Sequence, residues 1–160
     1  MPETSLKEIT TEFLPCPECG AFAEGIETCH DRFHELLIFD YQDQGYFAVH
    51  HLLVLTFMTQ HADALTDEAF HSSRAALSAF AAGKWPDTHV QQQAQTRLEN
   101  RAQFDGTAQF VRKSSQLRQR IAWTRTVFDV DFSGVSAYVQ TVEAWASAVA
   151  HDLESATASP

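Results

Sequence analysis

An all-α bundle of five or six helices is what this sequence predicts, on three observations. Apolar residues recur at three- and four-residue intervals through most of the chain. Nothing alternates with period two for long enough to make a sheet. Gly, Pro and Asp fall between the apolar runs, where helices would stop. The 160 residues, 44% hydrophobic and 20% charged, have globular composition and suit one domain able to bury a core without disulfide support.

Residues 1–14 are polar and expected to be a flexible N-terminal segment, with Phe13 and Leu14 at its end. Pro15, Pro17, Gly20 and Gly25 make 15–28 a loop. From Cys29 the pattern turns helical, with Phe33, Leu36, Leu37 and Tyr41 at i, i+3, i+4 and i+8. Asp43-Gln44-Gly45 reads as a stop. A second helix is expected from Tyr46 to His61, and its apolar residues Phe47, Leu52, Leu53, Leu55 and Phe57 make it the central one. Thr66 with Asp67 and Glu68 starts a third helix, because acids favour the positive end of the helix dipole. Phe70, Leu77 and Phe80 carry it to Gly83, before Trp85-Pro86.

Residues 88–121 read as two weaker helices broken near Asp105-Gly106, and Thr126 to Phe132 as an extended stretch. The last helix is the clearest: Val135, Tyr138, Val139, Val142, Trp145, Ala146 and Val149 repeat at three and four residues. Together these give a single domain over 15–155 and a flexible tail over 156–160, with no internal repeat.

The formal charge of −10 argues against general affinity for a nucleic-acid backbone. The charge is uneven. Seven of the eleven basic residues (Arg97, Arg101, Arg112, Lys113, Arg118, Arg120 and Arg125) lie in 97–125, and none lies beyond Thr126. Two compensating solvated helix faces explain this, as would a small basic patch for an anionic ligand or an acidic partner. The start of the chain lacks the basic and apolar regions of a signal peptide. The most apolar run, Phe47 to Met58, is too short to span a bilayer and is interrupted by His50 and His51. The expected location is the cytoplasm, with no membrane partner.

Cys16-Pro17-Glu18-Cys19-Gly20 is the strongest local signal. Two thiolates two residues apart can grip one zinc ion from a tight knuckle, and a glycine after the second lets the backbone turn its N–H groups toward the sulfurs. A redox pair would need a strand before the first cysteine and a helix opening at it, whereas here a loop precedes and Gly20 comes after. Cys29, opening the first helix, is the third candidate ligand. A structural site takes four. Suppose helices 29–41 and 46–61 form an antiparallel hairpin about Gly45. Cys29 then faces His61 and Asp40 faces His50, the two pairs lying about 16 Å apart at 1.5 Å per residue. This favours Cys16, Cys19, Cys29 and His61, so that the bundle carries a zinc knuckle at its N-terminal end. His34, His30 and His50 remain alternates. Asp40 could orient the His50 imidazole for catalysis, although such a pair is more commonly a structural hydrogen bond.

These residues resemble an uncharacterised bacterial family that carries C-P-x-C-G, a single Cys opening a helix and an acid-Tyr pair. Its motif continues as Y-x-x-V-H-x-L-x-V-x-x-Y-x-x-Q-H-P and ends with a W-A pair in a final helix. Here these are Cys16 to Gly20, Cys29, Asp40-Tyr41, Tyr46, Val49-His50, Leu52, Val54, Phe57, Gln60-His61 and Trp145-Ala146, with Phe57 for Tyr and Ala62 for Pro. The similarity is strong in 16–61, diffuse through 85–120 and recognisable again from Trp123. It implies a single domain and supplies no activity.

Three functions fit. The first is an interaction module with structural zinc and a protein partner, or a homodimer. The second is a metal-dependent hydrolase gathering a metal at Asp40, His50 and His61. The third is a small-ligand sensor or regulator using the basic 97–125 segment. The sequence holds no P-loop, G-x-G-x-x-G, nucleophile elbow or H-E-x-x-H. The first reading is preferred, and with it a protein that is not an enzyme.

Overall fold

The computed structural model describes residues 14–22, 27–85 and 120–158. Among them are five α-helices: α1 (Cys29–Asp40), α2 (Gln44–Phe47), α3 (His50–Gln60), α4 (Asp67–Ala81) and α5 (Val135–Ala158). Short 3₁₀ turns lie at Ala62–Ala64 and Val127–Asp129, and no strand is found among the described residues. The fold class is therefore the helical one predicted. The two weak helices expected over 88–121, and most of the basic segment 97–125, lie outside the described residues.

Local chemistry starts each helix. Thr28 caps α1 through a reciprocal pair: its hydroxyl accepts from the Asp31 N–H, and the Asp31 carboxylate accepts from the Thr28 N–H. Thr66 caps α4 in the same position, its hydroxyl accepting from Ala69 N–H. At the other end of α4, Gly83 takes φ +72°, and the Lys84 N–H turns back to the Ala79 carbonyl at 2.8 Å. A Cβ at Gly83 would touch nothing within 4 Å, so only the backbone conformation demands glycine there. Gly83→Ala is expected to cost about 1 kcal/mol, a fall of roughly 3 °C in Tm for a domain of this size. Thermal unfolding checks it, and an unchanged Tm would show that the turn tolerates a side chain.

The structure corrects the expected helix boundaries. Asp43-Gln44-Gly45 begins a helix where a stop was expected, because the Asp43 carboxylate accepts from the Gly45 N–H at 2.6 Å and caps α2. The expected helix 46–61 is broken at Ala48-Val49. Val49 is buried at φ −110°, ψ 12°, off helical values, and its carbonyl accepts the first bond of α3 from Leu53. Thr126 to Phe132 is likewise not fully extended. Asp129 accepts from the Thr126 N–H, and this closes the turn Val127–Asp129. At the end of the chain, α5 continues to Ala158, past the 155 at which the domain was expected to finish.

The long α5 organises the bundle, with α3 and α4 packed along it, α3 against α4, and α1 against α3 and the Val127–Asp129 turn. Tyr138, Val142, Trp145, Ala146, Val149 and Leu153 form its buried stripe, the spacing expected of a helix with one face in a core. α3 is buried on several sides by Leu52, Leu53, Thr56, Phe57 and Gln60. Its buried polar groups are satisfied. Thr56 donates to the Leu52 carbonyl, while Gln60 donates to the Arg125 carbonyl and accepts from Trp145 Nε1. Arg32 of α1 lies over the rings of Phe128 and Phe132, at 5.6 and 5.0 Å from their centroids, tying α1 to the segment before α5.

Candidate metal centre

Three separate pieces of chain build the site. The knuckle turns because Gly20 takes φ +72°, letting the Gly20 N–H donate to the Cys16 carbonyl at 2.8 Å while the Cys16 N–H donates to the Ala21 carbonyl. Trp123 Nε1 donates to the Glu18 carbonyl at 3.1 Å and fastens the knuckle to the segment before α5. Cys29 arrives at the start of α1, and His61 at the C-cap of α3.

Cys16, Cys19, Cys29 and His61 each offer one ligand atom, and these atoms all lie within 4.8 Å of one another. His61 Nε2 stands 3.3 Å from Cys29 Sγ and 3.7 Å from Cys16 Sγ. A tetrahedral ion with metal–sulfur bonds of about 2.3 Å and metal–nitrogen bonds of about 2.05 Å would place sulfur and nitrogen about 3.6 Å apart. The two observed separations bracket that value. The cluster therefore has the donor types, number and spacing to hold a metal ion.

The histidine is prepared for that role. Its Nδ1 donates to the Phe57 carbonyl at 2.9 Å, which leaves Nε2 as the lone pair facing the thiols. Burial holds His61 below the ordinary histidine value, against the opposing pull of the Phe57 carbonyl and Glu18, so the imidazole is neutral. The thiols divide. Burial, and then the neighbouring thiols, push Cys19 up, and burial with Cys16 pushes Cys29 up to about 11. Burial opposes ionisation of Cys16 too, yet the backbone N–H groups of Cys19 and Glu18 hold it below its ordinary value. Of the three thiols, Cys16 is the one its surroundings make easiest to ionise. A dication would supply the charge that brings all three to the thiolate.

None of the alternates belongs to that four-residue set. His34 is exposed on α1 beside Phe33, and His30 is exposed with its ring 5.1 Å from that of His61. His50 lies at the opposite end of α3 from His61, about 16 Å along the axis. A metal site of Asp40, His50 and His61 is therefore not assembled. Instead His50 Nδ1 donates to Asp40 Oδ2 at 2.8 Å, and the Tyr138 hydroxyl donates to Asp40 Oδ1 at 2.5 Å. The Asp40 carboxylate is fully buried and the His50 side chain partly so, its ring stacked on Phe47. Burial and then the adjacent carboxylate push the Tyr138 hydroxyl up, so it stays a donor. Helical periodicity marks Tyr138 only as a core position. A finer signal was present, because a tyrosine among valines on a buried stripe needs a partner for its hydroxyl.

A family model, "Family of unknown function (DUF5946)", matches residues 14–154. No curated protein and no solved structure matches the chain.

Proposed function

The chain belongs to that family of unknown function, and from this premise we propose that it is a zinc-stabilised helical module that acts by contact with a protein partner or a second copy of itself. The observation that supports this reading is the closed donor set. Three thiols and one imidazole fill a tetrahedral shell, leaving no position for water or substrate. Soft thiolates with a borderline imidazole in tetrahedral spacing suit zinc better than magnesium, calcium or manganese. Free cysteines, with no disulfide among the described residues, suit a reducing compartment such as the cytoplasm. No helix among the described residues is long and apolar enough to cross a membrane. Contact is favoured over catalysis because large apolar side chains stand in solvent, Leu14 at 81% and Phe22 at 66% exposed on the knuckle, with Ile38 on α1 and Tyr41 at its C-cap also exposed.

Metal analysis of untagged native protein, run together with identification of what co-purifies, tests this. About one equivalent of zinc is expected, with all three thiols resistant to alkylation until a chelator is added. Cross-linking should capture a partner or a dimer. Metal-free protein with a Cys16–Cys19 disulfide from a reduced lysate rejects the zinc. A monomer that captures nothing rejects the contact.

A further inference from the structure

Beside the cysteine cluster lies a second set of ligand atoms. Glu18, His30 and His61 also place one donor each within 4.8 Å of one another. We propose that these three form the entry site through which a divalent transition-metal ion passes between solvent and the three thiols. This rests on the metal reading of the cysteine cluster and adds to it a route.

The shared residue is decisive. His61 has only one free ring nitrogen, since Nδ1 is committed to the Phe57 carbonyl. Both sets therefore use the same Nε2 and cannot be filled together. An ion moves from one to the other by exchanging its remaining partners around a fixed imidazole. The surroundings give the direction. Cys19, Cys29 and His61 are buried and Cys16, like Glu18, is half-buried, while His30 is exposed, so His30 marks the solvent side from which an ion would reach Glu18 and His61.

Glu18 is held at both ends. Its carboxylate accepts from the Asp63 N–H at 3.0 Å, and its backbone carbonyl accepts from Trp123 Nε1. The acid is thus fixed across from the turn at the end of α3, where one oxygen is engaged and the other is available. The His30 ring sits edge-on to both His61 and Phe57. One carboxylate and two imidazoles leave coordination positions for water, so a hydrated ion can bind there before it is fully stripped. Replacing oxygen and nitrogen partners by thiolates is then favourable for a borderline-soft ion. Hard ions gain nothing from that exchange and return to solvent.

Cobalt(II) is a suitable probe, because its thiolate charge-transfer absorption reports arrival at the cysteines. The full chain, freed of metal under reducing conditions, is mixed rapidly with Co²⁺. Separately, the loaded protein is challenged with a chelator. Glu18→Gln and His30→Gln are expected to slow both the rise of the absorption and its loss by about tenfold or more. Entry and exit share one route, so the endpoint of about one equivalent and the competition midpoint stay unchanged. Glu18→Gln retains an acceptor for Asp63 N–H, and His30 is exposed, so neither change threatens the fold. Variants as fast as the original overturn the entry site while leaving the cysteine cluster intact. A lowered affinity at unchanged entry rate also overturns it, making these residues resident ligands or supports. Wild-type protein that never develops the absorption sinks the metal reading itself.

Discussion

Cys16→Ser is expected to lose the metal and to lower stability by about 4 kcal/mol or more, the value for a ligand present at a thousand times its dissociation constant. In a domain of this size that is a fall of roughly 10 °C in Tm. Cys16 is the informative cysteine because it is only half-buried, whereas Cys19 and Cys29 lie in the core. Serine there removes little packing, so the loss reports coordination. The cluster joins three distant pieces of chain, the knuckle, the start of α1 and the end of α3, and an unfolded chain cannot present them together. Thermal unfolding with and without a strong chelator checks the prediction. Chelator should bring wild-type protein down to the stability of Cys16→Ser and leave the variant unmoved. If the variant is destabilised equally under both conditions, the cysteine acts by packing and the metal does not contribute.

The placement of these residues was legible in sequence to an unequal degree. Cys16 and Cys19 are local, so their meeting comes directly from a two-residue spacing. The pairing of Cys29 with His61, and of Asp40 with His50, comes from folding two helices into a hairpin, and both pairs are adjacent in the structure. Both pairings survive the break at Val49 because it falls outside α3, whose one rigid rod holds His50 and His61 apart at its two ends. The break itself was hidden. Asp43-Gln44-Gly45 is equally good as the end of one helix or the cap of the next, and the choice depends on tertiary contact, with Gly45 packed tightly against Val135 at the start of α5. Trp123 on the Glu18 carbonyl was invisible for a related reason. It is a pairing across about a hundred residues through an irregular segment, where no periodicity reports which way a side chain faces.

The second large effect is expected from Asp40→Ala, at about 2–5 kcal/mol, because two hydrogen-bond donors lose their acceptor at about 1–3 kcal/mol each. Asp40 joins three helices: its carboxylate, at the end of α1, accepts from His50 at the start of α3 and from Tyr138 early in α5. The Asp40 side chain has no solvent exposure and Tyr138 none either, so water cannot replace the acceptor that the Tyr138 hydroxyl loses. Alanine leaves the Tyr138 hydroxyl buried without a partner and takes the acceptor from His50. Asp40→Asn should cost less, because one amide oxygen still accepts from Tyr138. Tyr138→Phe removes one of the stranded donors in advance, so combining it with Asp40→Ala should cost less than the sum of the two changes. Urea unfolding of the wild type, the two single variants and the double variant measures this directly. An Asp40→Ala variant within about 1 kcal/mol of wild type would show that the cluster does not anchor the bundle. The same variant tests the hydrolase alternative. If the protein hydrolyses a generic ester or phosphate, and Asp40→Ala abolishes this without loss of stability, the carboxylate serves His50 as a catalytic base and the contact reading gives way. The predicted result is the opposite: stability falls, and no hydrolysis is present to be lost. Asp40, His50 and Tyr138 then hold one end of the helices together by hydrogen bonds, as the thiols and His61 hold the other.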